Sequence, residues 1–171
     1  ANEILRTEVL SRLQKGEEGL CVVTYPDALA EKVVSRKELG ENTLKLHAGE
    51  RVDMNFVTDV LRSYGFEYVD YVYEPGQYSV RGGIVDVFSF SESKPYRLDF
   101  FGDEVDSIRR FNISSQLSAD KLERVEIIPD LNTAVQSAAR VSLARFAGAD
   151  AAFWFYDADY VLRRVNDVRR R

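Results

Sequence analysis

Leu5, Val9 and Leu13 recur at four-residue spacing near the start of the chain, with Leu10 beside them. That spacing predicts an amphipathic helix over residues 2–15, with Gly16 as its stop. GLCVVTYP (19–26) is a continuous apolar run of β-branched type closed by Pro26, and it predicts a buried strand. PDALAEKVVSR (26–36) opens on Pro and Asp, residues suited to the first turn of a helix. Helix, buried strand, helix is the rhythm of a parallel α/β sheet, but one strand does not make a sheet. Residues 1–42 are therefore expected to be the tail of an α/β domain whose body lies elsewhere in a longer chain.

The pattern changes near residue 43. TLKLHAGE (43–50) alternates apolar and polar positions and ends in a turn at Gly49. DMNFVTDVLRSYGF (53–66) is helical, with Asp53 as N-cap, Met54, Val57 and Leu61 on one face, and Gly65 as stop. Strand candidates follow at 67–73, 77–81, 83–89, 95–101, 104–111 and 122–128. Turn residues separate them at Pro75-Gly76, Gly82-Gly83, Ser91–Lys94 and Gly102-Asp103. Runs of strands beside one helix predict an α+β domain over 43–130, a small antiparallel sheet with a packed helix. Beyond Pro129 two helical patterns surround a predicted buried strand at 151–156, so 131–171 is expected to begin a further subdomain of partial α/β type.

Composition narrows the chemistry. With 45% hydrophobic residues and 12% aromatics, the 171-residue chain has the means to build a core. A net charge of −5 argues against a nonspecific nucleic-acid binder, which needs a basic surface to displace counterions, though a local basic patch on an acidic body stays open. One Cys (Cys21) and one His (His47) form neither an internal disulfide nor a Cys/His zinc site. No apolar run reaches the length of a membrane span, and the expected location is the cytoplasm, with no membrane partner. Phosphate-binding glycine loops of the P-loop and dinucleotide types are absent, so no cofactor is expected. The acidic runs Asp103-Glu104 and Asp157–Asp159 lack the spacing of a calcium loop, and no metal site is expected. Catalysis would have to rest on His47 at a strand end, so no catalytic residue is assigned. Asp86 sits inside the apolar strand GIVDVF and needs a buried donor, because an unpaired carboxylate there is costly.

In PYRLDFF (95–101) strand alternation puts Arg97, Asp99 and Phe101 on one face and Leu98 and Phe100 on the other. If Leu98 and Phe100 face the core, an Arg and a large aromatic stand outward together, the composition of an interface hot spot. An outward Arg97 would contribute to binding and little to stability. The competing reading covers Phe101 with a loop and pairs Arg97 with Asp99 or Asp106.

YEPGQYSVRGGIVDVFSF and PYRLDFFGDEVDSIRRFNISSQLS, within residues 73–118, carry the linked elements G-x-[YF]-x-x-R-G-G-[IV]-x-D-[VI]-F, R-[LV]-[DE]-F-F-G-D-E-[IV] and S-I-R-x-F. This stretch resembles the N-terminal repair module of bacterial transcription-repair coupling factors, which is itself similar to part of the excision-repair subunit UvrB. The resemblance implies that 1–42 ends a degenerate helicase-like domain and that 43–130 is a domain binding the damage-recognition protein UvrA. It also implies that Arg81, Arg97 and Phe101 touch that partner. A full-length member would be an ATP-dependent DNA translocase with RNA polymerase and double-stranded DNA as further partners, while this stretch would hold no catalysis and no cofactor. The run RRFNISSQ (109–116) favours a coupling factor over the alternative, a piece of UvrB, whose pattern tends there toward L-T-G-E. An unrelated enzyme using His47 is the remaining alternative.

Overall fold

The structure, a computed structural model, describes residues 2–134 and 140–170. The order begins α1 (Asn2–Gln14), α2 (Pro26–Ala30), β1 (Lys32–Val34), α3 (Arg36–Glu41), β2 (Leu44–His47) and α4 (Met54–Ser63). Then come β3 (Glu67–Tyr68), β4 (Gln77–Arg81), β5 (Ile84–Val87), β6 (Tyr96–Phe101), β7 (Glu104–Phe111), β8 (Ser118–Leu122) and β9 (Arg124–Ile127). The chain closes with α5 (Leu131–Ala134), β10 (Arg140–Ser142), α6 (Leu143–Ala147) and α7 (Ala158–Arg169). Two units result, Ala1–Glu8 with Glu41–Ala134 and Val9–Gly40 with Val135–Arg171.

In the first unit β3-β4-β5-β6-β7-β8 form one six-stranded sheet, and β2 pairs with β9 separately. The register aligns Val80, Val85, Leu98, Ile108 and Leu122 across five strands, so one face of the sheet is a continuous apolar row. Asp53 caps α4 by accepting from the Asn55 N–H, and Gly65 leaves the helix at φ 76°, a conformation that suits glycine. Val57 and Leu61 are thereby turned into the core beside Leu46, Phe66, Tyr78, Val87, Tyr96, Phe100, Val105, Val125 and Ile127. The architecture is α+β, as the hydrophobic pattern predicts.

Three details of the sheet differ from the sequence expectation. Only Glu67–Tyr68 of the 67–73 candidate is a strand, and it pairs parallel to β4. Val69 N–H still donates to the Tyr78 carbonyl, and farther on the Gln77 side-chain carbonyl accepts from the N–H groups of Tyr73 and Glu74, tying the loop back to β4. The 122–128 candidate divides, with β9 paired to β2 and an unforeseen β8 lying on β7. β8 is an exposed edge of sequence SADKL, so its pairing rests on backbone bonds and leaves no alternation to read.

In the second unit the helix expected over 26–36 is interrupted. Val33 and Val34 are buried in β1, which pairs antiparallel with β10, and only the ends of the segment are helical. β-branched side chains lose rotamer freedom in a helix and fit a pleated surface instead. The strands expected at 19–26 and 151–156 are not formed. Val23 and Trp154 are 94% and 93% exposed, and among the described residues neither segment belongs to a sheet. An apolar run becomes a strand only where a neighbour takes its N–H and C=O groups. Arg164 donates two bonds to the Asp27 carboxylate and ties α7 to α2, while Arg36 donates to the Phe146 carbonyl and lies over its ring.

Every fully buried member of the main core lies between Leu46 and Ile127. Residues 43–130 alone are therefore expected to unfold in one cooperative thermal transition with well-dispersed amide resonances. A molten or insoluble product would count against those boundaries.

Candidate protein-binding site

Two tight hairpins shape one end of the sheet. Between β4 and β5, Gly82 turns at φ 60°, and a Cβ on Gly83 would lie 2.7 Å from the Phe100 carbonyl oxygen. Gly83 thus allows β5 to approach β6 closely enough for its carbonyl to accept from the Phe100 N–H at 2.7 Å. Between β6 and β7, Phe101 pairs with Glu104 across the turn residues Gly102 and Asp103, with Gly102 at φ 63°. The RGG and FFGDE elements of the sequence are these two turns.

The face opposite the core carries Ser79, Asp86, Arg97, Arg109 and Lys121 in register on β4 to β8, and next to them Arg81, Ile84, Asp99 and Ser107. Asp86 is the centre of this face, with its side chain only 1% exposed. Arg97 Nε donates to Asp86 Oδ1 at 2.8 Å and Arg97 Nη2 to Oδ2 at 2.9 Å, a two-pronged bond. Arg81 Nη2 donates to the same Oδ2 at 2.6 Å. Each guanidinium also lies over an aromatic ring, Arg81 over Tyr71 at 4.9 Å and Arg97 over Phe111 at 4.4 Å. Backbone carbonyls complete the arrangement, Asp70 accepting from Arg81 and Gln116 from Arg97. The hydrogen bond to Asp86 holds Arg97 above the usual guanidinium pKa, against the opposing effect of its partial burial.

The buried donor that Asp86 requires is thus a pair of arginines. Arg81, Arg97 and Phe101 all lie on the face opposite the core, but only the two arginines meet. Phe101 is four residues along β6 from Arg97, about 13 Å at the rise of a strand. It is 83% exposed, whereas Phe100 is 7% exposed and packs in the core. Among the described residues no loop covers Phe101.

Arg97 departs from both sequence readings. Its partner is Asp86, across the strand pair, while Asp99 takes a bond from Arg109 at 3.5 Å. With 15% of its side chain exposed, Arg97 is not a freely outward residue. The expectation that it matters little to stability therefore gives way to the opposite one, because removing it strips donors from a buried carboxylate. Tyr71, Phe111 and the Gln116 carbonyl carry no sequence signal for this site, because they reach it from loops and a strand end, where alternation carries no information.

His47 has 65% of its side chain exposed and lies 3.8 Å from Glu50. Among the described residues no group of three or more His, Cys, Asp or Glu side chains is placed to hold a metal ion. No helix among them is long and apolar enough to cross a membrane.

The UvrB interaction domain is the family whose sequence pattern matches residues 44–132, which contain β2, α4, the whole six-stranded sheet and β9. The chain belongs to that family. Its relatives include the transcription-repair-coupling factor of Escherichia coli K12, 30% identical over 94% of this chain. Those of Haemophilus influenzae and Bacillus subtilis 168 are each 32% identical over 72% of it. The chain spans 14%, 11% and 10% of these three relatives. The family region is a repair-related interaction module of the kind that coupling factors carry, and it includes the Arg81–Asp86–Arg97 centre and Phe101.

Proposed function

We propose that this module binds the damage-recognition protein UvrA through the sheet face that bears Arg81, Arg97 and Phe101. One observation carries the reading: two adjacent residues of identical chemistry, Phe100 and Phe101, lie on one strand at 7% and 83% exposure. A large exposed aromatic on a tight hairpin is costly to leave in water, and it fits an anchor for a partner's pocket. The nearby arginines supply directional, charge-assisted bonds around that anchor. In a longer protein the module would bring UvrA to stalled RNA polymerase in the cytoplasm. ATP-driven translocation on double-stranded DNA would belong to other parts of that protein, and this stretch would need no cofactor.

The test is calorimetry of the purified chain with UvrA, alongside nuclease and ATPase assays of the chain alone. Saturable binding with both assays silent is the expected result. Absence of binding would defeat the partner assignment, and turnover dependent on His47 would favour the enzyme alternative.

A further inference from the structure

We propose that Asp86 and Tyr71 are positioning residues that fix Arg81 and Arg97 as one preorganised cationic pair, and that this pair receives an acidic side chain of the partner. The inference rests on the binding face proposed above and concerns how that face is built.

Two arginines sharing one carboxylate leave an excess of positive charge. Around the pair the register sets Arg109 and Lys121 beside Asp99, with Glu67 and Glu104 farther out on the face, so the excess belongs to the pair itself. This local excess sits on a chain of net charge −5, so an acidic group is drawn to the pair and not to the molecule as a whole.

The pair is held from below and from the side. Asp86, with 1% of its side chain exposed, lies beneath both guanidiniums, whereas 37% of the Arg81 side chain and 15% of the Arg97 side chain remain exposed. Asp86 itself is therefore too deep to meet a partner, and its effect must pass through the arginines. Arg81 is also set by the loop before β4, through the Asp70 carbonyl and the Tyr71 ring. That loop is anchored by Val72 and Val69, which pack with Phe88, Phe111 and Ile113 in a small apolar cluster. A long, flexible side chain held in its binding rotamer gives up less freedom when the partner arrives.

A role in fold stability alone would leave affinity unchanged for every molecule that remains folded. Asp86→Asn keeps the size of the side chain, but it removes the negative charge and turns an NH2 group toward a guanidinium donor, so the two-pronged bond with Arg97 is lost. Tyr71→Ala removes a half-exposed ring and spares the core. Affinity for UvrA is measured well below each variant's melting temperature.

Asp86→Asn is expected to bind about tenfold more weakly, mainly through faster dissociation. Tyr71→Ala is expected to lose about fivefold with an unchanged melting temperature, and Tyr71→Phe should restore affinity because the ring is kept. Tyr71→Ala should also add nothing to the loss already caused by Arg81→Ala, since it acts through that residue. Wild-type affinity in folded Asp86→Asn and in Tyr71→Ala, with Phe101→Ala still defective, would overturn this inference and leave the binding face standing. Additive losses at Tyr71 and Arg81 would overturn the positioning role of Tyr71. If the wild-type chain does not bind UvrA, the proposed function falls first and this inference with it.

Discussion

Phe101→Ala is expected to remove most of the binding to UvrA while leaving the melting temperature nearly unchanged. The ring is 83% exposed, so its truncation opens no cavity and withdraws little area from the core. An anchoring aromatic typically contributes 2 kcal/mol or more to an interface, and about 2 kcal/mol corresponds to roughly a thirtyfold loss of affinity. Phe100→Ala is expected to do the reverse. Its ring is 7% exposed and packs with the core, and truncating a buried phenylalanine costs about 3–5 kcal/mol. Side by side, the two variants share chemistry and differ only in the direction their side chains take from the strand. Thermal unfolding and calorimetry on both decide the matter. A large fall in melting temperature for Phe101→Ala, with Phe100→Ala stable and unable to bind, would assign the roles the other way round.

Arg97→Ala should lose stability as well as binding. It withdraws two N–H groups from a carboxylate whose side chain is 1% exposed, leaving Arg81 Nη2 at 2.6 Å to hold it. Breaking a buried ion pair from one side costs about 3–5 kcal/mol, and the remaining bond from Arg81 places the expected loss near the lower end, about 3 kcal/mol. Arg97→Lys should fall between, because an ammonium restores the charge but cannot span both carboxylate oxygens. Arg109→Ala is the control: its side chain is 39% exposed and its bond to Asp99 is 3.5 Å long. That substitution should shift stability by no more than about 0.5 kcal/mol. Denaturant titration of the three variants reads these values directly. Unfolding of Arg97→Ala at the wild-type midpoint would mean that water replaces the guanidinium at Asp86.

Much of this arrangement is legible from side-chain pattern. The alternation in PYRLDFF sends Leu98 and Phe100 inward and Phe101 outward, and the structure places them so. The same holds for α4, where Asp53, the Val57–Leu61 face and Gly65 are local signals with local physical causes. Alternation gives a face but not a neighbour. That Arg97 meets Asp86 and not Asp99 depends on the cross-strand register, which aligns Asp86 with Arg97 and lets both oxygens be reached.

The misread segments have a common cause. GLCVVTYP and the run at 151–156 have strand composition, and Phe153 and Phe155 even stack as alternate residues of an extended chain do. Composition makes a segment capable of pairing, whereas a strand also needs a partner for its backbone, and none of the described residues supplies one. β8 is the converse, a polar segment made into a strand by β7 alone. The sequence by itself determined which faces are apolar, where the hairpins turn and which of two phenylalanines is exposed, because these follow from residues close together in the chain. Only the tertiary structure decided which charges meet and which extended segments pair. Those outcomes depend on hydrogen-bond partners far apart in sequence, whose alignment no local pattern encodes.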